Sequence, residues 1–194
     1  MALRLNGSSS GYVELDVPAA AGSHTLTLPN SGGSSGQYLQ TNGSGGLSWA
    51  GAGKILRVVS ATTSTQVSNT TTTYADSGLT ASITPVAAGS SILVLTSQSF
   101  YMLRSSGNEE GVKVQLVRGS TVIFGTDVVD HYIAVAGVSQ VYLQVRNSMI
   151  YLDTPTYTLG DTITYKTQFR PEVSQARAQS GSQASSIVLM EVAA

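Results

Sequence analysis

The chain has no cysteine. That removes disulfide frameworks, thiolate metal sites and cysteine nucleophiles, and it leaves the redox compartment open. Charge is scarce too. Asp, Glu, Lys and Arg make up 11% of the 194 residues, less than half of the ~25% usual for globular domains. The net charge is −1 and no Lys/Arg run occurs, so a nucleic acid held through its phosphates is excluded as a partner. No stretch approaches the ~18 consecutive apolar residues of a membrane-spanning helix. The opening Met1-Ala-Leu-Arg-Leu-Asn-Gly7 lacks the apolar stretch of a secretion signal. The expectation is synthesis in a cytosol, no membrane insertion, and release by some route other than secretion.

What remains is apolar and hydroxyl-rich. Hydrophobic residues make up 41% of the chain, enough for a core. Ser, Thr, Gly and Gln replace the missing charge. Helices usually carry Glu and Lys on their exposed faces, whereas β-branched Thr and Val suit a pleated surface. No segment longer than ten residues shows a 3.6-residue apolar period. Val135–Val141 comes nearest, and Gly137 interrupts it. The chain reads as all-β.

Residues 1–53 differ from the rest. Gly11–Val17 places Val13, Leu15 and Val17 on one face at period two, and His24–Leu28 does the same with Leu26 and Leu28 before Pro29. Gln37–Gln40 and Leu47–Trp49 are shorter strand candidates. Asn6-Gly7 and Asn42-Gly43 are turn dipeptides. These pieces hold too few large apolar side chains to close a core. Ordering them costs roughly 1–2 kcal/mol of backbone entropy per residue, to be recovered by covering the apolar face with another chain. Ser31–Gly36 alone would suit a flexible linker, but the alternating strands argue for an attachment or trimerisation arm. Its expected contact residues are Val13, Leu15, Val17, Leu26, Leu28, Leu39, Leu47 and Trp49.

From 54 to 194 the pattern is a ladder of strands. Ile55–Val59 reads as a buried strand and Leu79–Thr84 as an alternating one. Ser91–Thr96 is the most continuous apolar run and hence central. Gly111–Val117 points Val112, Val114 and Leu116 inward, and Arg118-Gly-Ser120 turns it into a hairpin with Thr121–Phe124. Further strands are expected at Tyr132–Val135, Val141–Val145, Met149–Leu152, Thr162–Phe169 and Ile187–Val192. Eight or more short strands with long connections predict a jelly-roll-like β-sandwich.

Few residues suggest chemistry. Gly7-Ser-Ser-Ser-Gly11 matches the G-x-S-x-G nucleophile elbow in letters only, since the elbow needs a strand before it and a helix after it. A hairpin turn explains it. Gly51-Ala-Gly53-Lys54 lacks the other positions of a phosphate loop. Asp127, Asp130 and His131 share one loop, and Asp and His are residue types that hold Zn²⁺ or a harder ion; the plainer reading is a solvated loop. His24 raises the same question at a symmetry axis. No metal or cofactor is assigned. Glu109-Glu110 is read as a solvated pair, because adjacent acids on a strand point apart. Asn6-Gly-Ser8, Asn42-Gly-Ser44 and Asn69-Thr-Thr71 match the glycosylation sequon as expected by chance in such a composition. Phe100, Tyr101, Tyr132, Tyr142, Tyr151 and Tyr157 fall near strand ends or loops, where they either stack on a sugar or cap the core.

The arm resembles a segment of bacteriophage tail fibres and other virion proteins. The resemblance rests on Gly11-Tyr-Val-Glu-Leu-Asp-Val-Pro-Ala-Ala20, Thr25-Leu-Thr-Leu-Pro29, Gly36-Gln-Tyr-Leu-Gln-Thr-Asn-Gly43 and Gly46-Leu-Ser-Trp49 in that order and spacing. The remainder is similar to domains that follow such arms, through Leu79–Pro85, Val114–Thr121, Asp153–Pro155, Thr164–Lys166 and Ile187–Ala193. The resemblance implies a virion structural protein that is not an enzyme. It implies a homotrimer, bound to other virion proteins through residues 1–53, with a host-surface glycan or protein as its ligand. It implies no catalytic residue. The arm is only about fifty residues and no long shaft is expected before it, so a short fibre, a head fibre and a capsid decoration (cement) protein are the expected forms.

Overall fold

The computed structural model describes residues 3–15, 20, 22–23, 25–51, 53–104, 109–125, 130–135, 137 and 140–194. They fall into two units, Met1–Ala52 and Gly53–Ala194.

The first unit is built from two hairpins. β1 (Leu3–Asn6) pairs antiparallel with β2 (Tyr12–Leu15), placing Asn6 opposite Tyr12 and Leu5 opposite Val13. The Gly7–Gly11 segment is the turn between them: Gly7 N–H donates to Gly11 O at 2.9 Å. β3 (Gln37–Thr41) pairs with β4 (Leu47–Gly51). Asn42 fixes that turn, its Oδ1 accepting from the N–H groups of Ser44 and Gly46. The strand expected at residues 24–28 is reduced among the described residues to one parallel bridge, Thr27 to Gly46. Pro29 follows and has no N–H with which to extend a ladder.

The second unit comprises β5 (Ile55–Thr63), β6 (Val67–Asn69), β7 (Ala75–Ile83), β8 (Ser91–Arg104), β9 (Glu109–Arg118), β10 (Thr121–Phe124), β11 (His131–Ala134), β12 (Val141–Asp153), β13 (Ile163–Pro171), β14 (Gln175–Ala178) and β15 (Ser185–Val192). One sheet runs β5-β15-β8-β12, with β14 and β6 continuing alongside the second half of β8. The other runs β7-β13-β9, with β10 and β11 sharing the free edge of β9. All of these pairs are antiparallel. With β10 and β11 taken as one broken strand and β6 and β14 set aside, the first principal strand lies beside the eighth and the third beside the sixth. In the other sheet the second lies beside the seventh and the fourth beside the fifth. That is the jelly-roll order. No α-helix occurs among the described residues; Ser180–Ser182 forms a single 3₁₀ turn.

Alternation explains how the sheets close on each other. Along β13 and β15, every second residue is buried, because successive side chains in a strand face opposite sides. Ile163, Tyr165, Phe169, Ile187 and Leu189 meet Leu79, Ile83, Ile92, Val94, Phe100 and Leu116 in one core, with the Phe100 and Phe169 rings 5.4 Å apart. Not every inward position is apolar. Thr167 Oγ1 shares a hydrogen bond with Ser77 Oγ and donates to Gln98 Oε1 at 2.8 Å, all three residues being fully buried.

Three expectations shift. The apolar run at Ser91–Thr96 is central as expected, but its strand continues to Arg104. The segments Val141–Val145 and Met149–Leu152 are one strand, because β8 offers an unbroken edge from Ile92 to Arg104. Ile55–Val59, expected to be buried, lies in the edge strand β5, where Ile55 and Val58 are 50% and 56% exposed. A run of apolar residues cannot show whether a second strand covers its far side.

Candidate functional site

No described side chain of the first unit is buried. Leu15, Leu26, Leu28 and Leu39 are 63%, 59%, 68% and 44% exposed. Leu47 and Trp49 are half-buried. The Trp49 ring packs over Gly33, where a Cβ would come within 2.6 Å of it, and its Nε1 donates to Ser31 O at 2.7 Å. That contact gives the Gly/Ser-rich segment a defined course. Val17 and His24 lie outside the described residues. Single exposed leucines are ordinary; here several occur on a segment that buries none of its described side chains.

In the second unit, Asp127 also lies outside the described residues, and among those described no three His, Asp or Glu side chains converge on a metal-sized site. Asp130 has another task. Its N–H donates to Val112 O, and its Oδ2 accepts Val114 N–H at 2.7 Å, bridging the gap on the β9 edge between β10 and β11. Loss of water pushes its pKa up, against the opposing pull of the Val114 amide, His131 and Asn147. A hollow of about 320 Å³ opens beside it, lined by Val114, Ile123, Phe124 and Met149.

The solvated reading of Glu109-Glu110 is corrected at Glu110, while Glu109 is exposed. Glu110 is fully buried. Its Oε1 accepts from Gly111 and Val173 N–H at 3.0 and 3.1 Å, and its Oε2 from Ser174 and Gln175 N–H at 2.7 and 3.3 Å. It thereby holds the connection from β13 to β14. Glu191, also fully buried, does the same for the connection from β7 to β8, accepting from Val86 and Ala87 N–H at 2.9–3.0 Å. A polar residue at an inward strand position three residues from a chain end gave no signal of its own, because its partners are backbone amides with no sequence signature. Asn69 is likewise engaged: Nδ2 donates to Thr73 O and Phe169 O, and Oδ1 accepts Thr71 N–H. Its sequon is therefore occupied by structure.

The aromatics divide. Phe100 is core, and the Tyr157 hydroxyl accepts Ser90 N–H and donates to Ala87 O. Tyr151 stacks on Phe124 at 5.1 Å. Tyr101 and Tyr142 sit 5.7 Å apart, with the Arg177 guanidinium 5.6 Å from the Tyr101 ring. Tyr132 and Tyr142 are 49% and 56% exposed; of the six, these two present the most surface to a ligand.

Three side chains join the sheets near one end of the core. The Arg118 guanidinium lies 2.7 Å from both oxygens of Asp153, and the buried Tyr165 hydroxyl donates to Asp153 Oδ2 at 2.7 Å. Burial first, and then the adjacent Asp153 carboxylate, push the Tyr165 pKa well above the ordinary tyrosine value. The unfolded chain then ionises this phenol near pH ~10 while the folded one does not. Stability from this group is complete below that pH and falls as pH rises above it, by about 1.4 kcal/mol per pH unit. Melting curves between pH 8 and 12 should show this alkaline decline, and Tyr165→Phe should flatten it. An equal slope in the variant would assign the decline to other groups.

No protein-family model matches the chain, and no curated protein matches it. Among solved structures, the chain overlaps infectious bursal disease virus of the Gt strain at 14% identity, covering 98% of this chain and 46% of that one, with a TM-score of 0.22. T=1 particles derived from that virus give 16%, 98%, 44% and 0.22. The VP2 subviral particle of the same virus gives 14%, 97%, 46% and 0.21. The chain thus spans less than half the length of these proteins. Overlaps at such TM-scores carry no argument, and the β-sandwich rests on the strand pairing described above.

Proposed function

We propose that this chain is a non-enzymatic structural component of a bacteriophage particle. In this reading it is a homotrimeric short fibre or spike, anchored to other virion proteins through residues 1–53, with the sandwich turned to a glycan or protein of the host surface. The observation that carries the reading is the first unit: strands and fixed turns, large exposed apolar side chains, and no buried described residue. Such a segment gains stability by being covered, which is what an attachment arm does. The commitments of Glu110 and Glu191 to backbone amides support a non-catalytic role, since they remove two carboxylates from acid–base work.

A second reading is a capsid decoration protein whose arm staples shell subunits. Residues 25–28 favour it: among the described residues they form only the Thr27 bridge, and Leu26 and Leu28 are exposed, as a segment that joins a strand edge of a different protein would be.

The test is add-back to particles that lack the protein. The full chain should associate with them and a chain beginning at Gly53 should stay in solution. Equal incorporation of both would sink the anchoring role of residues 1–53. Antibody against the sandwich then separates the readings: label at the tail or at discrete projections supports a fibre, and uniform label over the shell supports decoration.

A further inference from the structure

The outer face of the β5-β15-β8-β12 sheet carries a continuous apolar area. Strand register places Val58, Met190, Leu93 and Leu152 side by side in one row across all four strands. The neighbouring row contributes Val188, Leu95 and Ile150, with Ser60 at its β5 end. Ile55 and Val192 extend the area at the edge. Every one of these side chains points away from the core, and the outermost are well exposed: Val58 56%, Ile150 68%, Leu152 53%. The next row is all hydroxyl, Thr62, Ser186, Ser97 and Ser148. Neither the apolar rows nor the hydroxyl row contains an ionisable group; Arg146 comes one row further and is turned onto Ser97 and Ala184 O.

Four strands at ~4.8 Å and two rows at ~6.8 Å make an area about 19 by 14 Å, and with the two edge positions of Ile55 and Val192 roughly 330 Å² of sheet plane. That lies within the ~300–600 Å² of the largest apolar patch on a typical monomer, which is often functional. It is roughly two fifths of the ~800 Å² that each partner buries in a standard interface. The hydroxyl row beside it supplies the polar rim that such interfaces have.

We propose that copies of this chain meet through this face, three around one axis. Two features select a second copy as the occupant. The apolar rows carry no charge, so identical rows meet without like-charge repulsion, whereas docking of a foreign protein commonly uses complementary charge. Its size also fits closure by three. Three faces about 19 Å wide form a triangle whose centre lies about 5.5 Å from each sheet, and one layer of side chains on a sheet is about 5 Å thick, half of the ~10 Å between packed sheets. Leu93, Leu95 and Met190, near the middle of the face, would fill that centre. The inference deepens the homotrimer of the proposed function by placing its contact in the sandwich, which leaves residues 1–53 free for the particle.

The test is the mass of the full chain in solution by sedimentation or light scattering. The wild type should have the mass of three chains. Ile150→Glu combined with Leu152→Glu should give one chain, with the far-UV circular dichroism of the wild type, because both side chains are already exposed. Val122→Glu, at a 49% exposed apolar position on the other sheet, should stay at three. A single-chain or two-chain wild type, a double variant that keeps the wild-type mass, or a Val122→Glu protein that dissociates as fully would overturn the proposal. This measurement involves no particle, so its failure is distinct from failure of the anchoring test.

Discussion

Replacing Glu110 by Ala should destabilise the sandwich by about 3–5 kcal/mol, because several buried N–H donors, each costing ~1–3 kcal/mol when unsatisfied, lose their acceptor at once. Four backbone N–H groups point at this carboxylate, two at each oxygen. Without it they remain in a place closed to water, or the 172–175 connection must open to hydrate them. The midpoint of denaturant unfolding reports the loss if the slope stays constant. Glu110→Gln separates shape from acceptor count. It retains the volume, but one oxygen becomes an NH₂ facing two N–H donors, so most of the loss should persist. Full recovery in Glu110→Gln would show that Glu110 acts by filling space, and a loss under about 1 kcal/mol in the alanine variant would show that the connection hydrates freely.

Glu110 also marks where sequence reading stops. Its strand was legible: Val112, Val114 and Leu116 alternate, and all three are buried. The same period places Glu110 inward, yet an acid at an inward position reads as the end of the strand. The rule that acids stay in water holds only while no donors are available, and three of the four donors here come from residues more than sixty positions away. Ser77, Gln98 and Thr167 were hidden in the same way. They occupy inward positions and satisfy one another, a match that appears only once the two sheets face each other. Alternation therefore identified the strands and the two-sheet architecture. It also makes Ser91–Thr96 central, because both faces of that run are apolar: Ile92 and Val94 toward the core, Leu93 and Leu95 on the outer face. It carries no account of which strands share an edge, so the apolar period reads β5 as buried and does not mark β14.

The candidate surfaces were legible to different degrees. The leucines of the first unit were visible as period-two stripes, and the exposure of Leu15, Leu26 and Leu28 agrees with the shortage of core-forming residues there. The outer face of the β5-β15-β8-β12 sheet could not be anticipated. Val58, Met190, Leu93 and Leu152 come from four segments spread across most of the chain, and only strand register lines them up. Each of them taken singly reads as core.

Asp153→Ala should cost about 3–5 kcal/mol, because it breaks a partly buried ion pair from one side only. Asp153 is 5% exposed and stands on β12 of one sheet, whereas Arg118 on β9 and Tyr165 on β13 belong to the other. The carboxylate is thus a polar tie between sheets that otherwise meet through apolar contact. Removing it leaves the Arg118 charge without its acceptor and a fully buried Tyr165 hydroxyl without a partner. The two orphaned groups are unequal. Arg118 lies partly at the surface, its side chain 30% exposed, and can turn toward water; Tyr165 cannot. Adding Tyr165→Phe to Asp153→Ala should therefore restore part of the lost stability, about 1 kcal/mol or more, by removing the stranded hydroxyl. In the wild-type background the same Tyr165→Phe change should be destabilising, because there it deletes a satisfied hydrogen bond. A double-mutant cycle by chemical denaturation measures that reversal of sign. If Tyr165→Phe destabilises equally in both backgrounds, the hydroxyl contributes nothing through Asp153 and the tie between the sheets is the Arg118 pair alone.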